Sequence, residues 1–252
     1  MIALDMPLPG PGNFLFRRLN TLAALNHADR ALLAFATPPA QHHHAGEELN
    51  EQGEPVREAR LILSGWAGTV RVLPDGRRQI FRLMLPGDVI GRCDQPQPLA
   101  LSTTQALTPL ETVELEPVLA PVRADAAAGP RLREALCLDA ALEQAALLDH
   151  LMRLGRQTAM ERTAHLLLEL HHRLLAVGLA GPDRFPLPLT QETLADTLGL
   201  STVHMNRTLQ ELRRARLLRL ERGQVELPDP DRLAMIADYT PPRISARTPA
   251  SR

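Results

Sequence analysis

Val203, Asn206, Arg207 and Gln210 fall at i, i+3, i+4 and i+7 and so share one face of a helix. That face offers an apolar group, two amides and a guanidinium. Each type has a partner on the edge of a base pair: arginine on guanine, asparagine or glutamine on adenine, an apolar side chain on the thymine methyl. A face that meets only solvent would favour Glu and Lys. Thr202 lies near the start of the same helix, placed for a phosphate or a base. Met205, Leu209 and Leu212 recur on the opposite side and are predicted to be buried. The chemistry on offer is base reading in a major groove, with a plain helical hairpin as the alternative.

The elements that must hold this face are legible around it. Thr190 is placed to cap a first helix, with Gln191 and Glu192 in its first turn, where acceptors and negative charge suit free N–H groups. Leu194, Ala195 and Leu198 give that helix an apolar side, and the small Ala195 admits a close neighbour. Gly199 suits the turn, Leu200 packs inward, and Ser201 caps the second helix, residues 201–214. Arg207, Arg213, Arg214, Arg216, Arg219 and Arg222 cluster against only Glu211 and Glu221, a density that favours phosphate contact. Segments 217–220 and 224–227, joined by a turn with Gly223, predict a hairpin, that is, a wing after a reading helix. The residues expected to meet double-stranded DNA are Thr190, Ser201, Thr202, Val203, Asn206, Arg207, Gln210 and Arg213.

The chain has 252 residues, 44% of them hydrophobic, enough for one large or two smaller cores. Its net charge is −1, so affinity for DNA has to come from the local arginine cluster. All 28 basic residues are arginine, which excludes lysine chemistry. P-loop, dinucleotide, HExxH and GxSxG patterns are absent, so an enzyme is not expected. No apolar run is long enough to span a bilayer, the start lacks a signal-peptide pattern, and two cysteines make no disulfide framework. A cytoplasmic, reduced setting is expected.

Residues 13–35 read as a helix with leucines on repeating faces, ended by Thr37-Pro38-Pro39. From about 40 to 117 short apolar runs alternate with turn signals, which predicts an antiparallel sandwich or barrel. Gly129-Pro130 opens a long helical region whose stripe is Leu138, Leu142, Ala145, Leu148 and Met152. A dimer seam and simple packing on the barrel both suit that stripe. Gly155 interrupts, a helix over 158–177 follows, and 178–188 reads as a linker-like loop. The predicted division is a sensor over 13–128, a dimerisation helix over 130–155, a DNA-binding unit over 156–239 and a disordered tail over 240–252.

In this order the segments resemble the Crp–Fnr superfamily of bacterial transcription regulators over residues 14–237. The resemblance rests on Gly65-Trp66, Leu73-Pro74-Asp75-Gly76-Arg77 and Leu85-Pro86-Gly87-Asp88, on Leu154-Gly155-Arg156-Gln157 with Glu161-Arg162, and on 199–207. It implies an α+β fold with an N-terminal cyclic-nucleotide-binding-like β-roll, a long dimerisation helix and a C-terminal winged helix-turn-helix. It also implies a homodimer on a near-palindromic site, an effector in or near the roll, and RNA polymerase as a partner if the protein activates. Arg207 matches the family's characteristic DNA-contacting arginine, and Thr202, Val203 and Asn206 occupy its other base-reading positions. The best-known members carry a glutamate in place of Val203, so a different half-site is expected. A sensing or protein-interaction module with weak or lost DNA binding is the alternative.

The sensor departs from the nucleotide-binding pattern. Those members carry a Gly-Glu pair and then an Arg-Ser pair. Here the degenerate cassette reads Gly87-Asp88-Val89-Ile90-Gly91-Arg92, with Arg92 in place of the glutamate and no arginine in 97–102. Ordinary cAMP or cGMP binding is therefore not expected, the effector is left unknown, and Arg92 is expected at the surface or in a salt bridge. Iron–sulfur sensing in the family takes four cysteines, and this chain has Cys93 and Cys137 only. Either cysteine is a redox switch or, more simply, an inert small residue. His42-His43-His44, and His165 with Glu169 and His172, have spacings a metal could use, but spacing alone defines no site. No metal or cofactor is predicted.

Overall fold

The computed structural model describes residues 12–35, 39–92, 98–124 and 128–243. Short strands follow one another as β1 (Gln41–His43), β2 (Glu48–Asn50), β3 (Arg60–Ser64), β4 (Ala67–Val72), β5 (Arg78–Met84), β6 (Val89–Ile90), β7 (Thr103–Ala106) and β8 (Leu110–Glu114). They form two antiparallel sheets, ordered β1-β8-β3-β6 and β2-β7-β4-β5, closed over Ile62, Ala67, Met84, Ile90, Ala106 and Leu110. The turn between β3 and β4 admits only glycine. Gly65 has φ +78, and a Cβ there would sit 2.0 Å from the Pro109 carbonyl oxygen.

The first predicted helix is two: α1 (Gly12–Asn20) and α2 (His27–Leu33). The Asn20 side chain accepts from Leu25 N, and Asn26 starts α2 with a capping box closed by Asp29. A helix the pattern did not predict, α3 (Glu116–Ala124), then precedes α4 (Pro130–Arg156). Gly129 in the left-handed region and Pro130 at the first helical position begin α4, which runs through Gly155 without a break. Leucines of α1, α2 and α4 and the apolar side of α3 pack on the outer face of the first sheet. Asp29 ties these helices together. Its fully buried carboxylate accepts from Asn26 N at 2.9 Å and from Leu132 N, in the first turn of α4, at 3.1 Å.

Beyond α4 lie α5 (Ala159–Val177), β9 (Arg184–Pro186), α6 (Gln191–Leu198), α7 (Thr202–Arg214), β10 (Arg219–Glu221), β11 (Gln224–Glu226) and α8 (Pro230–Ala237). The segment expected to be a loop thus contains a strand. Buried Phe185 pairs with Val225, and the wing becomes a three-stranded sheet, β10-β11-β9. One apolar core runs from the roll (Trp66, Ile80, Leu83) through α5 into the last unit (Leu194, Met205, Leu212).

Between α4 and α5 the Arg153 guanidinium meets Glu169 at 2.6 Å and donates to the Nδ1 atoms of His150 and His165, both at 3.4 Å. Because arginine only donates, both rings accept at Nδ1 and are neutral. Burial, then the neighbouring Arg153 charge, push each histidine from 6.5 down to about 4.

Two outcomes follow from this packing. Asp29→Ala leaves the buried Leu132 N–H unsatisfied and opens the capping box at Asn26, and should lower unfolding stability by about 1–3 kcal/mol, read from urea denaturation. The histidines bind protons more weakly folded than unfolded, so their contribution is complete above pH 6.5 and declines as pH falls towards 4. Stability should drop by about 1 kcal/mol per histidine between pH 7 and 5.5. His150→Gln with His165→Gln should flatten that slope, and an unchanged slope would refute the assignment.

Candidate nucleic-acid interface

The helix pair that carries the predicted reading face is fixed by its caps. Thr190 Oγ1 accepts from Thr193 N at 3.1 Å, and Ser201 Oγ accepts from His204 N at 3.2 Å. Gly199, at φ +62, makes the turn, and the Arg162 guanidinium binds the Leu198 carbonyl at the end of α6 at 3.1 Å. Met205, Leu209 and Leu212 are buried, as their spacing predicts. The opposite side of α7 is open. Thr202, Val203, Asn206, Arg207 and Gln210 line one shallow concavity, and Val203 is 73% exposed.

The surrounding charge is equally open. Among the described residues Arg207, Arg213, Arg214, Arg216 and Arg222 make no ion pair, whereas Arg219 is held by Glu226 at 2.6 Å. Five guanidiniums without an ion pair, in α7 and the segment just after it, form a local positive field on a chain of net charge −1. Gln191, noted in the sequence only as a first-turn residue, reaches the reading face: its Oε1 accepts from Asn206 Nδ2 at 3.0 Å. Asn206 Oδ1 in turn accepts from Gln210 Nε2 at 2.8 Å.

In the roll, the cassette charges are engaged internally. Asp88, almost fully buried, accepts from Leu85 N and is surrounded by Arg18, Arg82 and Arg173, the last at 2.6 Å. Arg92 reaches α4, at 2.7 Å from Asp139 and 3.4 Å from Glu143, the salt-bridged alternative of the sequence reading. Burial pushes the Asp139 carboxyl up, but Arg18 and Arg92 together hold it below its ordinary value. Burial likewise lowers Arg82 to about 10. Gly87 and Gly91 take positive φ in the turns on either side of β6. Cys93 lies outside the described residues, as do 244–252 of the tail.

Along α4 the anticipated stripe splits. Leu138, Leu142 and Ala145 are half-buried, with Leu142 turned towards Leu22 and Arg173 of its own chain. Leu148 and Met152 are exposed, joined by Leu147 and Leu151, so the open apolar face lies about one residue round from the predicted one. Cys137 is exposed on the same helix. Both histidine groups have other partners. His43 binds Glu47 and Thr112, and Glu169 is taken by Arg153 and Arg173. A contact between units escaped the sequence altogether. The Arg78 guanidinium of β5 meets Asp196 of α6 at 2.8 Å, and Gln79 donates to the Thr197 carbonyl at 3.2 Å.

Comparison with known proteins agrees with this geometry. Residues 161–236 match the Crp-like helix-turn-helix domain, and 40–117 match the cyclic nucleotide-binding domain. The nitrogen fixation regulation protein FixK of Bradyrhizobium diazoefficiens is 30% identical over 78% of this chain and 81% of its own length. The transcriptional activator protein FnrL of Cereibacter sphaeroides is 32% identical over 71% and 72%. The structure of FixK2 from Bradyrhizobium japonicum superposes with a TM-score of 0.67 at 27% identity, covering 79% of this chain and 97% of that one. With a roll, a long helix and a winged helix-turn-helix in this order, and relatives matched over most of their length, the chain belongs to the Crp–Fnr family of DNA-binding transcription regulators.

Proposed function

We propose that two copies of this chain read a near-palindromic DNA site, each laying α7 in a major groove. The observation that carries the reading is the exposed amide–guanidinium face of α7, followed along the chain by four more arginines without an ion pair, Arg213, Arg214, Arg216 and Arg222. Arg207 reads a guanine or holds a phosphate, Asn206 and Gln210 read adenine edges, and Val203 covers a thymine methyl. Thr202 meets a phosphate or a base. Arg213 and the cap hydroxyls of Thr190 and Ser201 position the backbone. Residues 156–239 form the reader, 13–128 the sensor and 240–252 a tail.

The copies meet along α4, residues 130–155 of the division. Cys137, Ala141, Gln144, Leu148 and Leu151 alternate by four and three, the spacing of a parallel coiled-coil seam. Leu147, Leu148, Leu151 and Met152, each about half exposed or more, supply its apolar area. The roll then reaches the reader by two routes: α4 itself, and the Arg78–Asp196 contact that seats α6 on β5. An activating role adds RNA polymerase as a partner. The setting is the cytoplasm, where the DNA is.

The ligand side is not a cyclic-nucleotide site of the usual kind. Arg92, the one arginine in the described cassette, is turned to Asp139 and Glu143 instead of to an open phosphate position. A cavity of about 590 Å³ does lie between the roll and α4, bordered by Thr69, Phe81, Leu101, Gln144 and Leu147. Its mostly apolar wall offers room for an effector other than cAMP.

Site selection with the purified protein, without added ligand, is the direct test. A two-fold symmetric motif is expected, with binding reduced at least about tenfold by Arg207→Ala and the symmetry lost with Leu151→Asp. Selection that survives Arg207→Ala would overturn the assignment of α7. Calorimetry with cAMP should return no binding at micromolar concentration; tight binding would show that the cassette still accepts the nucleotide.

A further inference from the structure

We propose that Gln191 is a specificity-determining positioning residue: through a directed chain of amide hydrogen bonds it fixes the orientation of the Asn206 carboxamide and commits that residue to adenine. The inference rests on the reading of α7 given under Proposed function.

A carboxamide is nearly symmetric in shape but opposite in chemistry at its two ends. An asparagine alone on an exposed helix face turns freely and presents donors or acceptors as the groove demands. Asn206 is not alone. Gln210, one turn along α7, donates Nε2–H to Asn206 Oδ1 at 2.8 Å, and Asn206 donates Nδ2–H to Gln191 Oε1 at 3.0 Å. The two contacts come from different helices, so they hold the group from both sides. Flipping Asn206 by itself would set donor against donor at one end and acceptor against acceptor at the other; only a concerted turn of Gln191, Asn206 and Gln210 restores both contacts.

What the chain leaves unused is as informative as what it uses. A carboxamide has two N–H groups and two oxygen lone pairs. The relay takes one of each, and one N–H and one lone pair remain. Adenine presents one acceptor, N7, and one donor, the N6 amino group, in the major groove. Guanine presents two acceptors, N7 and O6, and cannot use the remaining lone pair. Gln191 belongs to α6 and packs half-buried at its start, so it serves the reading face without needing to touch a base itself.

The relay has a direction, and the direction makes it testable. Gln191 acts as acceptor, so Gln191→Glu keeps the contact while Gln191→Met removes it. Gln210 acts as donor, so Gln210→Glu breaks the contact and sets a carboxylate against Oδ1. The measurement is the affinity ratio between two versions of the selected site, with adenine or guanine at the pair whose preference Asn206→Ala relaxes. A ratio of about tenfold or more is expected for the wild type, the order that a bidentate base contact supplies. Gln191→Met and Gln210→Glu should each reduce it to less than about threefold. Gln191→Glu should keep the wild-type ratio while binding both sites more weakly, because its charge faces phosphates. A folding defect lowers both affinities together and leaves the ratio alone. An undiminished ratio in Gln191→Met, or exchanged behaviour of the two glutamate variants, overturns the proposal. If Asn206→Ala relaxes no position at all, the reading of α7 fails first and the relay with it.

Discussion

The carboxylate of Asp88 organises the molecule. It sits in the Pro86-Gly87-Asp88 turn of the roll, almost without solvent contact, and three guanidiniums converge on it from α1, β5 and α5. The charges alternate outward from there: Arg18 and Arg92 meet Asp139, Arg82 meets Glu143, Arg173 meets Glu169, and Glu169 meets Arg153. A buried network of this kind adds little net stability over an apolar core, but loss of one member leaves an uncompensated charge at a cost of about 3–5 kcal/mol. Its contribution is therefore geometric. The network joins the roll, the N-terminal helix, the long helix and α5 through one connected set of charges.

That relation also bears on sensing. The cassette's aspartate and arginine face the protein: Asp88 meets Arg173, and Arg92 meets Asp139. The long helix is held to the roll by Arg92 and Arg82. The cavity that Arg82 lines also borders on α4, where it reaches Leu147 of the exposed leucine face. A guest there would touch α4 itself and Arg82, the arginine that faces both Asp88 and Glu143.

The reader was the most legible part of the sequence because its information is local. Caps at Thr190 and Ser201, the glycine turn and the two helix faces lie within a few residues of what they control. The split between α1 and α2 was also written locally, in the Asn26–Asp29 capping box, but was overshadowed by the leucine periodicity that runs across it. Strand β9 is different: three residues, one of them proline, become a strand only because Phe185 finds Val225, forty positions further along the chain. The Asp88 network is harder still, since two of its three arginine partners lie 70 and 85 residues away, and arginine pairing has no periodic signature. The rotation of the α4 stripe has the same origin. Which leucines face outward depends on where α1 and α5 press, and a helix pattern alone does not encode that.

The apolar core that passes from Trp66 and Ile80 through α5 to Leu194 and Met205 has a consequence for how this protein can be rearranged. The reader and the roll look like interchangeable modules when viewed as sequence segments. In this chain the boundary between them runs through shared hydrophobic packing and is pinned by Arg78 and Asp196. A chimera that grafts this reader onto a foreign roll would transplant half of a core, exposing Leu83 and Ile80 on one side of the cut and α6 on the other. Exchange would succeed only where the β5 hairpin travels with the reader, so the unit of inheritance is larger than the helix-turn-helix and includes the strand on which it rests.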